Sequence, residues 1–154
     1  QDFALAPISK PVKMDNIFFK FGSWELTPDS EAGLNSLVKL LNDNPNITIE
    51  LAAHTDMIGN NAANQELSLK RAQSVTNYLI QKGIETARIT PVGYGEEKPV
   101  VVDESLNKQY PFLPKEQMLD EAFISNLPEN QQEVCNSLNR RTEFRVLKTT
   151  YNLY

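Results

Sequence analysis

Apolar residues recur along this chain with two different periods, and the switches between them mark out its elements. Ile17, Phe18, Phe19 and Phe21 around Lys20 read as a first strand, after which Gly22 and Ser23 permit a turn. Thr27 then supplies an N-cap with Pro28 at the first helical position, and Leu34, Leu37, Val38 and Leu41 return at helical spacing. Asp29 and Glu31 suit the positive end of that helix, and Asn44-Pro45 stops it. Ile47, Ile49, Leu51 and Ala53 alternate with Thr48, Glu50, Ala52 and His54, the period of a half-buried strand that ends at Thr55-Asp56. A long helix is predicted over 61–82, closed by Gly83, and the next strand over 84–95, through Arg88 to Val92. A last strand over 142–148 alternates Phe144 and Val146 with Glu143, Arg145 and Leu147.

Strand, helix, strand, helix, strand implies right-handed crossovers with both helices on one face of a sheet. The rhythm breaks over 96–138, which holds Pro99, Pro111, Pro114 and Pro128 and two amphipathic stretches, 115–125 and 128–138, that read as short helices. The fold class expected is therefore α/β (an α+β sandwich), ordered β-α-β-α-β, helical insert, β, with a mixed four-stranded sheet and its helices packed on one face. Residues 1–14 carry Pro7 and Pro11 without periodicity and read as a linker; 15–150 form the domain, with 96–138 as an extended insert, and 151–154 a tail.

Composition narrows the function. With 154 residues, 40% of them hydrophobic, the chain suits a single domain. Its net charge of -5 is the wrong sign for a nucleic-acid partner, which needs a cationic surface to release counterions. No apolar run approaches the roughly 20 residues of a membrane span, so any membrane attachment is expected from an upstream domain outside this chain. A first residue of Gln1 suggests a mature or excised piece. The single cysteine, Cys135, allows no internal disulfide or metal cluster and reads as a small buried apolar residue. There is no nucleophile elbow, H-E-x-x-H or calcium loop, and no phosphate-cradling loop beyond Gly93-x-Gly95; neither an enzyme nor a cofactor is expected.

The informative residues are polar groups on an apolar stripe. At about 100° per residue, Asn64 and Arg71 fall within roughly 40° of Val75 on the long helix, beside the buried positions Tyr78 and Leu79. Burying an amide or guanidinium demands a partner. Asp56 is the obvious one, at the end of the second strand, where open α/β sheets place ligands. Two arrangements fit: a closed Asp56–Arg71 ion pair tying helix to strand, or an open pair that binds a zwitterion, carboxylate to ammonium and guanidinium to carboxylate. His54, the lone histidine, reads as packed at the strand end rather than as a metal ligand. In Asn139-Arg140-Arg141, either the arginines form a solvated turn or one of them faces the same pocket.

These residues share a pattern. Thr55-Asp56-x-x-Gly59-x4-Asn64-x-x-Leu67-Ser68-x-x-Arg71-Ala72-x-x-Val75 resembles the signature of OmpA-like C-terminal peptidoglycan-binding domains, and Gly93-Tyr94-Gly95-Glu96 with Pro99, then Asn139-Arg140-Arg141 with Phe144, resemble the later blocks. The long insert resembles the variant found in envelope proteins of the Bacteroides group. The resemblance implies non-covalent binding of the meso-diaminopimelate of the peptidoglycan stem peptide by Asp56 and Arg71, with Thr55, Asn64 and Arg140 lining the pocket. It also implies a periplasmic module, attached to the outer membrane through a region missing from this chain. The first-strand block departs from the family, so Gly22 and Ser23 are expected to contribute backbone rather than side-chain contacts. The competing readings are an interaction or oligomerisation module of an envelope, secretion or motor complex, with Asp56–Arg71 as a structural ion pair, and a hydrolase of the same glycopeptide.

Overall fold

The computed structural model describes residues 11–14 and 16–151. The expected linker over 1–14 and tail over 151–154 therefore lie outside the described residues except at 11–14 and Tyr151. Strands β1 (Val12–Lys13), β2 (Thr48–His54), β3 (Ile89–Gly95) and β4 (Arg141–Lys148) form one mixed sheet in the order β1-β4-β2-β3. β2 runs parallel to β3, with Ile49 opposite Ile89, and antiparallel to β4, with Leu51 opposite Phe144. Helices α1 (Glu31–Asp43) and α2 (Asn61–Gln81) make the crossovers on one face, as the alternation required.

The strand period decides what that face buries. Ile49 and Leu51 from β2 and Phe144 and Val146 from β4 close against Leu34, Leu37 and Leu41 of α1 and Val75 and Leu79 of α2. Removing each such side chain from water contributes about 1.5–3 kcal/mol. α1 is preceded by a 3-10 turn at Pro28–Ser30 and ends where Asn44 Nδ2 donates to the Leu40 carbonyl at 2.8 Å. Buried Arg88 donates to the carbonyls of Leu41, Asn44 and Ile47 at 2.8–3.0 Å, so this cation clamps the far end of α1 and is not part of any site. α2 lies close on β3 because position 93 is glycine: a Cβ there would come within 2.6 Å of Leu69 Cα and Ser68 Oγ.

The expected first strand at 17–21 is corrected. Val12–Lys13 takes the edge of β4, and Ile17 to Leu26 instead folds into a short hairpin, with Phe19 bridging Leu26 and Lys20 N donating to Glu25 O. Ser30, fully buried, holds the hairpin by exchanging hydrogen bonds with Phe18 N and O at 2.7 and 2.8 Å. Edge pairing of β4 needs only one partner, and the hairpin satisfies its own backbone, so the two segments exchange the roles their composition suggests.

The insert builds a second core. Val102, Leu113, Leu119, Ile124 and Cys135 are buried together by α3 (Glu104–Gln109), α4 (Glu121–Ile124) and α5 (Glu129–Asn139). α5 matches its expected range, whereas the helix expected over 115–125 is only α4. Met118 and Leu119 are drawn into extended pairing with Val101 and Val100, and Asp120 Oδ1 caps Phe123 N at 3.0 Å to start the helix late. α3 escaped the apolar pattern because it has no buried residue. Among the described residues no helix is long and apolar enough to cross a membrane.

Candidate ligand-binding site

The site forms where β2 runs out beside the start of α2. Thr55 N donates to Gly95 O at 2.8 Å and Thr55 Oγ1 to Asp56 O at 2.9 Å, which fixes the strand end. Asp56 is 9% exposed, and its Oδ1 accepts from Ile58 N at 3.0 Å, turning the chain toward Gly59, whose φ of +94° suits a residue without Cβ. Asn60 Oδ1 then caps α2 by accepting from Ala63 N at 3.0 Å. Asn64 Nδ2 donates back to Ile58 O at 3.0 Å, so this amide shapes the loop around Asp56.

Arg71 approaches from the third turn of α2. Its Nε donates to Ser23 O at 2.8 Å and its guanidinium lies 4.9 Å from the Phe19 ring centre. Gly22, at φ +63°, makes the turn that presents this carbonyl, so the hairpin contributes backbone, as its sequence suggested. Burial, and then the positive charge of Arg140, lower the Arg71 pKa, while Asp56 acts to raise it. Arg71 thus lies in the field of both groups. Among the described residues no carboxylate lies within ion-pair distance of it.

The partner of Asp56 is Arg140. Arg140 Nη1 donates to Asp56 Oδ2 at 2.5 Å and Nη2 to Glu133 Oε2 at 2.7 Å. The closed Asp56–Arg71 pair is therefore not what the structure holds; the cation that answers Asp56 comes from the turn before β4, on a shorter reach. Arg140 is answered by both Asp56 and Glu133, whereas among the described residues no carboxylate pairs with Arg71, whose forked end can take an anionic group.

The three residues of Asn139-Arg140-Arg141 divide the work. Asn139 fastens the insert, accepting from Val100 N at 2.9 Å and donating to Leu119 O at 3.0 Å. Arg141 turns to the other sheet face, donating to Glu143 at 2.7 Å and to Lys98 O at 2.9 Å. His54 is buried on that face too, stacked on Tyr94 at 5.2 Å with Nε2 3.1 Å from Glu143 Oε1, so it belongs to a packed network. A larger groove, about 990 Å³, lies there between sheet and insert. Of its charged groups Glu50 pairs with Arg145 and Glu143 with Arg141.

Sequence reasoning missed Glu133, which faces Arg140 from two turns earlier on α5, and Gln65, whose Nε2 donates to Gly93 O and ties the start of α2 to β3. Among the described residues no cluster of His, Cys, Asp and Glu could hold a metal ion.

A charged cluster at the strand ends of a mixed sheet, beside the start of α2, marks the candidate site of this α+β domain. The chain belongs to the OmpA family, whose model matches residues 18–110. Outer membrane porin F of Pseudomonas fluorescens is 38% identical over 96 residues, 62% of this chain and 29% of that protein. Outer membrane protein P5 of Haemophilus influenzae is 35% identical over 94 residues, 60% and 27% respectively. The chain thus spans less than a third of these relatives. Among solved structures, the peptidoglycan-associated lipoprotein from Burkholderia pseudomallei superposes with a TM-score of 0.58 over 84% of this chain and 87% of that one, at 25% identity. The family match ends before Glu133 and Arg140.

Proposed function

We propose that this chain binds peptidoglycan non-covalently, holding the diaminopimelate of the stem peptide between Asp56 and Arg71, and so anchors an envelope protein to the cell wall from the periplasm. The observation that carries this reading is an arginine brought into a half-buried site with its forked end free, among the described residues, of any carboxylate, beside an aspartate whose present partner is a displaceable side chain. Diaminopimelate ends in a carbon bearing both an ammonium and a carboxylate. Arg71 would take the carboxylate and Asp56 the ammonium, displacing Arg140 toward Glu133, with Thr55 and Asn64 holding the loop. The names of the relatives support the setting: two outer membrane proteins and a peptidoglycan-associated lipoprotein. Attachment to the outer membrane would then come from a region outside this chain.

The reading as an interaction module relied on a closed Asp56–Arg71 pair and loses that support. Co-sedimentation with purified sacculi is the test. Wild type should pellet, and Asp56→Ala and Arg71→Ala should stay soluble while keeping their circular dichroism, since truncating one member of a binding-site charge set costs about 2–5 kcal/mol. A folded Arg71→Ala protein that pellets normally overturns the assignment.

A further inference from the structure

The hairpin beside the site displays more aromatic surface than its own packing uses. Phe21 stands fully exposed at its tip, and Trp24, the only tryptophan in the chain, is 47% exposed. Trp24 is also held in place. Ser23 O accepts from Arg71 Nε at 2.8 Å and Trp24 O from Ser74 Oγ at 2.7 Å, so two side chains of α2 pin the hairpin by its backbone. Lys70 Nζ lies 4.3 Å from the Trp24 ring centre and braces the indole.

Between Trp24 and α2 runs an open cleft of about 460 Å³, lined among others by Ser74, Asn77, Tyr78 and Gln81. Its chemistry differs from that of the neighbouring charged site. Its walls carry the Trp24 and Tyr78 rings and two primary amides, Asn77 and Gln81; the Ser74 and Tyr78 hydroxyls already donate to Trp24 O and Asn35 Oδ1, and Glu25, the one ionised group on its wall, is paired with Lys20. Rings with a polar tip suit ligands that are apolar on one face and wet on the other, and planar amides pair with hydroxyl and acetamido groups. That combination describes an N-acetylated sugar.

We propose that the Trp24–α2 cleft is a subsite for an N-acetylated sugar ring of the glycan strand, a proposal that rests on reading Asp56–Arg71 as the diaminopimelate site. The reach is sufficient. Diaminopimelate is the third residue of the stem, and its own side chain, two residues and the lactyl link separate the group held at Arg71 from the sugar, more than the about 7 Å that two extended residues span alone. Arg71 and Asn77 are six residues apart on α2, about 9 Å along its axis. A stem peptide whose third residue meets Arg71 can therefore place its sugar in the cleft when it runs along α2 toward Gln81.

Because Trp24 is the only tryptophan, its fluorescence reports this cleft directly. The whole chain is titrated with a disaccharide tetrapeptide containing diaminopimelate and, separately, with the same tetrapeptide lacking the sugars. The disaccharide ligand should shift Trp24 emission and bind about tenfold more tightly, the scale of one aromatic contact. Trp24→Ala and the double variant Asn77→Ala with Gln81→Ala, all at exposed or half-exposed positions, should each remove that tenfold and leave affinity for the sugar-free peptide unchanged. Equal affinity of wild type for the two ligands with unchanged emission overturns the subsite while leaving the diaminopimelate reading in place. Failure of the sugar-free peptide to bind wild type overturns the diaminopimelate reading, and the subsite with it.

Discussion

Asp56 and Arg140 meet at 2.5 Å across 84 residues of sequence, and this contact, rather than one with Arg71, holds the buried carboxylate. Arg71 is nearer in sequence and lies in the field of the same carboxylate, yet its Nε is committed to Ser23 O. The consequence is a division of labour between two arginines: one answers Asp56 from within the protein, and the other keeps its forked end for something else.

Arg140 is shared between Asp56, at 12% side-chain exposure, and Glu133, at 64%. An incoming ammonium must take Asp56 from Arg140, and Glu133 keeps that arginine paired while it does so. Glu133→Gln leaves Arg140 with Asp56 alone, which makes displacement harder. Exposed ion pairs contribute about 0.2–1 kcal/mol, so affinity for a diaminopimelate peptide should fall by up to about fivefold. Calorimetric titration reads this, and a variant that binds more tightly than wild type would show that Glu133 does not support the exchange.

Much of this arrangement was legible in the sequence where local pattern and fold agree. α2 matches its expected range because its apolar stripe is long and Gly83, at φ +97°, ends it. Asp56 and Arg71 stood out because each is a charge on an apolar side. β1 was not legible: two exposed residues carry no alternation, and their place depends on the edge of β4, about 130 residues later. The Asp56–Arg140 contact was hidden for the same reason, since it is set by how the insert and α5 deliver the turn before β4. Glu133 gave no signal because an exposed glutamate on a helix is ordinary.

Gly93 tests the packing that carries the site. It lies where α2 crosses β3, with Ser68 Oγ accepting from Gly95 N at 2.9 Å beside it. Gly93→Ala would force helix and strand apart, and overpacking of this kind costs about 1–3 kcal/mol. Chemical denaturation should show that loss. Because the start of α2 shifts with it, peptide affinity should fall as well, whereas a variant of unchanged stability would mean that the crossing has room.

Acid should weaken the outer sheet face in two stages. Burial lowers the His54 pKa, and Arg141 and Lys98 add to this against the pull of Glu143; burial alone would raise the Glu143 carboxyl, but His54, its Nε2 3.1 Å away, and the hydrogen bond from Arg141 prevail and hold it at about 2 instead of 4.5. Both groups are depressed in the folded state, so both release protons more readily there than in the unfolded chain. The stability each contributes is present above its unfolded pKa and declines as pH falls toward its folded value. His54 therefore acts below about pH 6.5 and Glu143 between about 4.5 and 2. Unfolding free energies measured across this range should fall at both stages, and Glu143→Gln should flatten the lower one; a variant with the wild-type slope there would remove Glu143 as its source.

Selectivity is the sharpest test of Arg71. Meso-diaminopimelate and lysine at the same stem position share an ammonium and differ by one carboxylate beside it. With lysine, Asp56 still has its ammonium, but Arg71 remains half-buried, held by Ser23 O and facing Arg140, with no anion to offset the cost. An unanswered charge in such a place costs on the order of a few kcal/mol. At about 1.4 kcal/mol per decade, diaminopimelate peptides should bind more than roughly a hundredfold tighter than lysine peptides. Amidating that carboxylate keeps an acceptor and removes the charge, so the amide should fall between them. Arg71→Lys retains the charge without the planar fork and should narrow the gap between acid and amide. Matched stem peptides titrated against both proteins decide it, because equal affinity of the wild type for diaminopimelate and lysine would mean that Arg71 does not read the carboxylate at all.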